Sequence, residues 1–274
     1  MSLVDRIFSI LHLSLVENKQ PSFTTFKGTR DQWLRFSLSK SFEFVGWGGK
    51  LLVWVPKGER DDLVFGLIQG KKPYSYHDAP IDGGAEKEDQ FWQGAYVFLD
   101  PRHHDDGQKL AIENDVLGKP RALAKALFDH INMREDAPFN CLAEHTFDEK
   151  DFWKFSELSG GVLKYIKFEF VVPNMWGPQN DLEKDLKETG KETGSDQVDV
   201  TLRGENGVTT DNEKVRTAVA YAGRGSGVVK AKNMMGRRFS SATQPTTERV
   251  PKADLDGATE ISVEGIARKV LGRG

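Results

Sequence analysis

The apolar residues of the first half of the chain fall into short runs set between turn formers, the pattern of strands rather than of long helices. Arg6 to Val16, Trp33 to Val45, Lys50 to Val55, Leu63 to Gln69 and Gly94 to Leu99 are rich in β-branched, aromatic and leucine residues, and most are bounded by Gly, Pro or Asp. Trp47-Gly48-Gly49 predicts a hairpin turn. The polar stretch from Lys71 to Asp89, with Pro73, Pro80, Gly83 and Gly84, predicts an exposed loop. A helix is predicted from Pro120, a residue suited to the first turn, because Leu123, Leu127 and Ile131 recur at four-residue spacing as far as Asn132. Pro138 to Ala143 then reads as a short strand entering the core.

The second half switches period more often. A short helix from Asp148 to Leu158 brings Phe152 and Phe155 near one another and is stopped by Gly160-Gly161, which places a boundary between a β-rich unit, residues 1–159, and a second unit, residues 160–274. Tyr165 to Val172 is a strand closed by Pro173-Asn174, since proline cannot continue a hydrogen-bond ladder. Pro178 to Glu188 is a charged helix with Leu182 and Leu186 as its apolar seam and Gly190 as its cap. Lys184 and Lys187 offer its carboxylates partners on the same helix, so it is expected to lie away from any basic surface. Gln197 to Arg203 alternates as a half-buried strand. Thr210-Asp211-Asn212-Glu213 has the form of a capping box ahead of the apolar face Val215, Ala218, Val219 and Ala222, which Gly223 ends. Val228 to Lys232 and Arg237 to Ser241, joined by Asn233-Met234-Met235-Gly236, read as a β-hairpin. The order β-α-β-α-β-β predicts a small sheet covered by helices on one face, and the whole chain is α+β.

Composition narrows the class. With 274 residues, 38% hydrophobic and 29% charged, the chain can bury a sizeable core, and its apolar windows are too short to cross a bilayer. No small-residue cleavage site follows the apolar N-terminal stretch, so no secretory signal is expected. A single cysteine, Cys141, excludes an internal disulfide and a multi-cysteine zinc site, and the cytoplasm is the expected location.

Charge changes the picture further. From Lys214 to Thr247 there is no acidic residue, yet the stretch holds Lys214, Arg216, Arg224, Lys230, Lys232, Arg237 and Arg238, in a chain of formal net charge -3. Like charges repel, so a one-sign stretch fits a protein whose partner is a polyanion, with nucleic acid the first candidate. The competing reading is a solvated face that pairs with the acidic stretch before it, or that meets an acidic protein partner. By strand alternation Lys230 and Lys232 share a face, and Arg237 or Arg238 joins them according to register. Such a ribbon neutralises phosphates without reading bases.

The remaining motifs favour binding over catalysis. Gly223-Arg224-Gly225-Ser226-Gly227 closes a helix and opens a strand, the reverse of a phosphate-cradling loop, although Arg224 can still donate to phosphate. His103-His104-Asp105-Asp106 is the dense cluster of possible metal ligands. The alternative it supports is a metal-dependent nuclease with Asp100, Asp105 and Asp106 as carboxylates and Lys109 beside them, but adjacent histidines on an extended segment point apart and the carboxylate-x-lysine spacing is missing. Cys141 lacks an evident base, His145 being close along the same strand. Trp92, Trp153 and Trp176, with Phe152 and Phe155, are candidates for base stacking or for the core. No catalytic residue, metal or cofactor is expected.

Val229-Lys230-Ala231-Lys232-Asn233-Met234-Met235-Gly236 followed by Ser240 resembles the C-terminal strand-turn-strand of the RexA-like phage-exclusion proteins of lambda-like prophages, in an Ala-Lys-x-x-x-Gly-x-x-x-Ser pattern. The β-rich first half, the helix before the strand at Phe139 to Glu144 and the Phe168 to Pro173 strand before a charged helix follow the same layout. The matching positions cover well under half the chain. The resemblance implies an antiviral protein that binds DNA with little sequence preference, forms a homodimer and works beside a separately encoded membrane effector. Residue by residue it reaches Lys230, Lys232 and Gly236, and it supplies no catalytic group.

Overall fold

The computed structural model describes residues 5–18, 26–60, 62–77, 81, 83, 86–102, 104, 108–172, 181–195, 197–256 and 259–273. The α+β expectation holds. One sheet of eight strands curls into a half-barrel, and a second sheet of four strands carries helices.

The first sheet is organised about β1 (Arg6–Glu17). Its neighbours in space are β6 (Gln108–Glu113), β5 (Glu86–Asp100), β4 (Leu63–His77), β3 (Leu51–Arg60) and β2 (Phe42–Val45), in that order and antiparallel throughout. The other edge of β1 is divided between two strands. β12 (Thr247–Val250) pairs with Arg6 to Ser9, and β7 (Phe139–His145) pairs with Leu11 to Glu17.

Alternation sorts the side chains of these strands into two cores. Leu11, Leu13 and Leu15 face α1 (Arg30–Leu38) and α2 (Pro120–Asn132), where Trp33, Leu34, Leu127, Phe128 and Ile131 are buried. Phe8 and Ile10 face the other way, onto Val250, Leu255 and Val263, Ala267 and Val270, the last three from α7 (Glu260–Val270). A strand covered on both faces needs apolar residues at consecutive positions, which is why β1 reads as a continuous hydrophobic run.

Two expectations for this half are corrected. Residues 33–38, expected as strand, are helical: Thr29 and Gln32 form a reciprocal capping box, and Trp33, Leu34, Ser37 and Leu38 bury one helical face. The expected loop from Lys71 to Asp89 contains paired strand, with Lys71 to His77 hydrogen-bonded to Glu86 to Trp92 in a ribbon exposed on both sides. A ribbon that buries neither face leaves no apolar alternation to read.

The second sheet runs β11 (Arg238–Ser240), β10 (Gly227–Asn233), β8 (Val162–Val171), β9 (Gln197–Thr209), all antiparallel. Ile166, Phe168, Phe170, Val229, Ala231 and Phe239 form its inner face. They pack against Phe152 of α3 (Glu149–Glu157), Leu186 of α4 (Asp181–Thr193) and Val215, Ala218 and Val219 of α5 (Glu213–Tyr221). The outer face carries no helix of this set. Gly190 lies inside α4, buried against Val172, and does not cap it. Asn212 rather than Thr210 caps α5, accepting from the Val215 amide. The Thr210 hydroxyl instead donates to the Gly161 carbonyl and meets Ser156. The expected Pro173-Asn174 stop and the Pro178 start of α4 lie outside the described residues.

The chain passes from the first sheet to the second between β7 and β8, with Phe147 and Phe152 already in the second core, and it comes back. After β11 it rejoins the first sheet as β12 and continues into α6 (Lys252–Leu255) and α7. Departure and return are stitched together: Thr146 donates to the Ile10 carbonyl, Thr246 to the Thr146 carbonyl, and Ile10 to the Thr246 carbonyl, at 3.2, 2.8 and 2.9 Å. Against this seam packs a π-helical turn, Ala222–Ser226, whose Gly225 has φ +86°. A Cβ built there would stand 2.1 Å from His12 Cβ. Gly225→Ala therefore combines a left-handed backbone with a clash between the two sheets, and it should cost about 2 kcal/mol or more of stability. Chemical denaturation of the purified variant, with the midpoint compared at unchanged slope, measures this.

Candidate nucleic-acid interface

The seven basic residues of the acid-free stretch do not share one surface. Lys214 and Arg216 lie on α5, which packs on the inner face of the second sheet, and Arg224 lies in the turn that follows. Arg216 is 2.5 Å from Asp211, and Arg224 is 3.2 Å from Glu183 of α4. The acidic helix, expected to lie away from the basic residues, thus takes up Arg224.

Lys230, Lys232, Arg237 and Arg238 remain with the hairpin. Its turn is closed by the Asn233 amide donating to the Arg237 carbonyl, by the Gly236 amide donating to the Asn233 carbonyl, and by the Asn233 side chain accepting from the Arg237 amide. Gly236, at φ +89°, supplies the left-handed residue that returns the chain. This fixes the register: Lys232 stands opposite Arg238 and Lys230 opposite Ser240.

Extending that register over all four strands resolves the outer face into rows. Nearest the turn, Arg203, Tyr165, Lys232 and Arg238 are successive cross-strand partners. In the next row stand Thr201, Lys167, Lys230 and Ser240. Beyond it come Asp199 and Glu169.

The middle and acidic rows neutralise each other. Lys167 Nζ lies 2.8 Å from Glu169 and 2.7 Å from Asp199, while Lys230 Nζ lies 2.6 Å from Glu169. Burial works to raise the Glu169 carboxyl, but the hydrogen bonds from Lys167 and Lys230 outweigh it and hold the group below the usual carboxylate range. Lys167, with its hydrogen bonds to Asp199 and Glu169, is pushed above the ordinary lysine range.

The row nearest the turn has no such partner. Among the described residues Arg203, Lys232 and Arg238 make no ion pair, and neither does Arg237 beside them. Like charges facing each other across an antiparallel pair are unfavourable, so Lys232 opposite Arg238 is a cost that an anion relieves. At about 4.8 Å between strands the row is roughly 14 Å long, a span that takes in about four phosphates of one duplex strand.

Tyr165 and Arg203 were not among the residues singled out from sequence. The signal that finds them is two-dimensional. Each is an unremarkable polar-face residue of its own strand, and only the register of four strands sets them beside Lys232.

The other candidate chemistry is accounted for differently. Asp100 is fully buried. Its oxygens accept from Arg102 Nε at 3.3 Å and Arg273 Nε at 2.8 Å, and His104 Nε2 lies 2.6 Å away. Burial would raise this carboxyl, but the hydrogen bonds from Arg102 and the proximity of His104 bring it below its ordinary value. Asp100 therefore ties the C-terminal segment to the end of β5, with Lys109 across from it on β6. His103, Asp105 and Asp106 lie outside the described residues, and among those described no group of three or more His, Cys, Asp or Glu is gathered as metal ligands. Trp153 and Phe155 pack against the second core and Phe152 is inside it, Trp92 is on the exposed ribbon over Lys71, and Trp176 lies outside the described residues. A cleft of about 960 Å³ between α3 and α5 is walled by Trp153, Arg216 and the carboxylates Glu149, Glu157 and Asp211, so its polar lining is mainly acidic and does not suit a polyanion.

Cys141 is inside the first core, with burial pushing its thiol up to about 12. Burial and the nearby Arg121 charge lower His145 to about 4. At neutral pH this pair holds a thiol and a neutral imidazole, not a thiolate and an imidazolium. A disulfide-exchange reagent at pH 8 should leave Cys141 unmodified in the native protein and titrate one thiol per chain in denaturant. Rapid native labelling would show that the thiol is exposed.

Compared with family models, with curated proteins and with solved structures, the chain matches none.

Proposed function

We propose that this protein binds nucleic acid without catalysing its cleavage, through the hairpin end of the outer face of its second sheet. One observation carries the reading. Three strands bring Arg203, Lys232 and Arg238 into a single row, with Arg237 adjoining, while Glu169 and Asp199 are already engaged by Lys167 and Lys230. Cations arranged on a sheet without a recognition helix suit phosphate contact and give little base-edge discrimination. A role in phage exclusion, as a homodimer acting on DNA beside a membrane effector, is proposed on the resemblance of the hairpin sequence alone. No helix among the described residues is long and apolar enough to cross a membrane.

If Arg203, Lys232, Arg237 and Arg238 each meet a phosphate, the logarithm of affinity for duplex DNA should fall with the logarithm of salt at a slope of about -3.6. Lys232→Ala with Arg238→Ala should flatten that slope by about 1.8 on unrelated sequences alike. Lys230→Ala should change it less, because Glu169 already holds that ammonium. Glu169→Gln should act oppositely, freeing Lys230 while Lys167 keeps Asp199, and steepening the dependence. A salt series followed by fluorescence anisotropy reads all of these. A slope indifferent to Lys232 and Arg238 would remove the hairpin from the interface.

A further inference from the structure

We infer that the row nearest the hairpin turn selects unpaired strands over duplex, with Tyr165 as the platform on which a base stacks. This rests on the nucleic-acid reading above and names the substrate class for the same site.

The placement of Tyr165 is the reason. Ile166, Phe168 and Phe170 of β8 point into the core, so Tyr165, Lys167 and Glu169 point outward by alternation. A bulge between Leu163 and Tyr165 restores that phase, since Leu163 is also buried. Tyr165 is half-buried, with Arg203 on one flank and Lys232 on the other. Its hydroxyl has no hydrogen-bond partner among the described residues. An outward aromatic residue with a cation in register on each side offers a surface on which a base can stack, and the charges beside it are set to hold the phosphates on either side of that base.

Other aromatic surfaces are set differently: the cation beside exposed Trp92, Lys71, already lies over its ring. On the exposed ribbon of β4 and β5, Tyr74 contacts Tyr76 and Phe91 and hydrogen-bonds Asp89, so its rings meet one another and a carboxylate. Trp47 projects from its turn at 90% exposure, with Val45 and Leu51 as the exposed hydrophobics of the flanking strands and no row of cations beside it. In the turn beyond Lys232 and Arg238, Met234 and Met235 are exposed at 60% and 73%. Thioethers make favourable contacts with aromatic rings.

Duplex DNA hides its base faces in the stack, so a duplex can use the cations of the row but not the ring. A single strand can use both. The ring should therefore add about ten-fold to single-strand affinity and nothing to duplex affinity.

The test measures binding of a labelled mixed-sequence single strand and of its duplex to the full chain, for the parent and for Tyr165→Ala, Tyr165→Leu and Tyr165→Phe. Tyr165→Leu keeps an apolar side chain on the sheet, so its loss of binding does not report loss of fold, and circular dichroism checks each variant. The expected result is a parent that prefers the single strand, with affinity for it reduced about ten-fold in the Ala and Leu variants, retained in Phe, and duplex affinity within two-fold throughout. A parent that binds both forms, with Tyr165→Leu weakening neither or weakening both equally, overturns this inference and leaves the phosphate reading standing. A parent that binds neither overturns the nucleic-acid reading itself. Polyglutamate that displaces the single strand as effectively as unlabelled single strand does would also overturn the stacking role, since it offers charge without bases.

Discussion

Every strand of the first sheet is placed, directly or through a neighbour, by the pairing capacity of β1. A strand has two edges and two faces, and β1 spends all four: β6 along one edge, β12 and β7 sharing the other, one helical layer over Leu11, Leu13 and Leu15, another over Phe8 and Ile10. Because one edge is divided between two strands, the chain between them must leave the sheet and come back within a few ångströms of where it left. The residues from β8 to β11 occupy that excursion. Thr146 and Thr246 close its neck on the backbone of Ile10, and Gly225 lets the π-helical turn rest against His12. The second sheet is thus held to the first at this seam, and among the described residues no helix of its core covers its outer face.

That open face explains how a chain of net negative charge keeps a cationic surface. The ion-paired acidic residues of β8 and β9 are not spread among the basic ones. Asp199 and Glu169 occupy the row farthest from the turn, and the two lysines of the middle row lean toward them, while Glu205 follows Arg203 on β9. Each ion pair so formed is surface-exposed and contributes little to stability. Its larger effect is on the field. Neutralising one end of the sheet concentrates the uncompensated charge at the other, where Arg203, Lys232 and Arg238 meet.

The sequence carried most of the local structure and part of the interface. The helix over Leu123, Leu127 and Ile131, the alternating strand at Val198 to Leu202 and the hairpin about Asn233 to Gly236 follow from period and turn chemistry, and all three are present. Elsewhere a cap or a partner outside the run decides. The apolar run at Trp33 to Leu38 suits a strand until Thr29 and Gln32 cap it as a helix. Thr210 looks like a cap until Gly161 and Ser156 claim its hydroxyl. The charge run was visible as a run, but proximity in sequence overstated proximity in space: Lys214, Arg216 and Arg224 go to the helical side of the sheet. Arg203 and Tyr165, remote in sequence, arrive beside Lys232 because three ladders align them. Linear charge counts register neither event.

The shared edge of β1 also has a consequence in time. Arg6 to Ser9 find their partners only when Thr247 to Val250 have been made, and at about 5–20 residues per second on the ribosome that interval is roughly 10–50 s. Throughout it, a strand apolar on both faces waits with part of one edge unpaired, the form most prone to joining another chain. Pairing of the other edge with β6, available much earlier in synthesis, halves that exposure without ending it. The edge of β1 is therefore completed only after β12 has been made, and until then shelter for that edge has to come from outside the sheet.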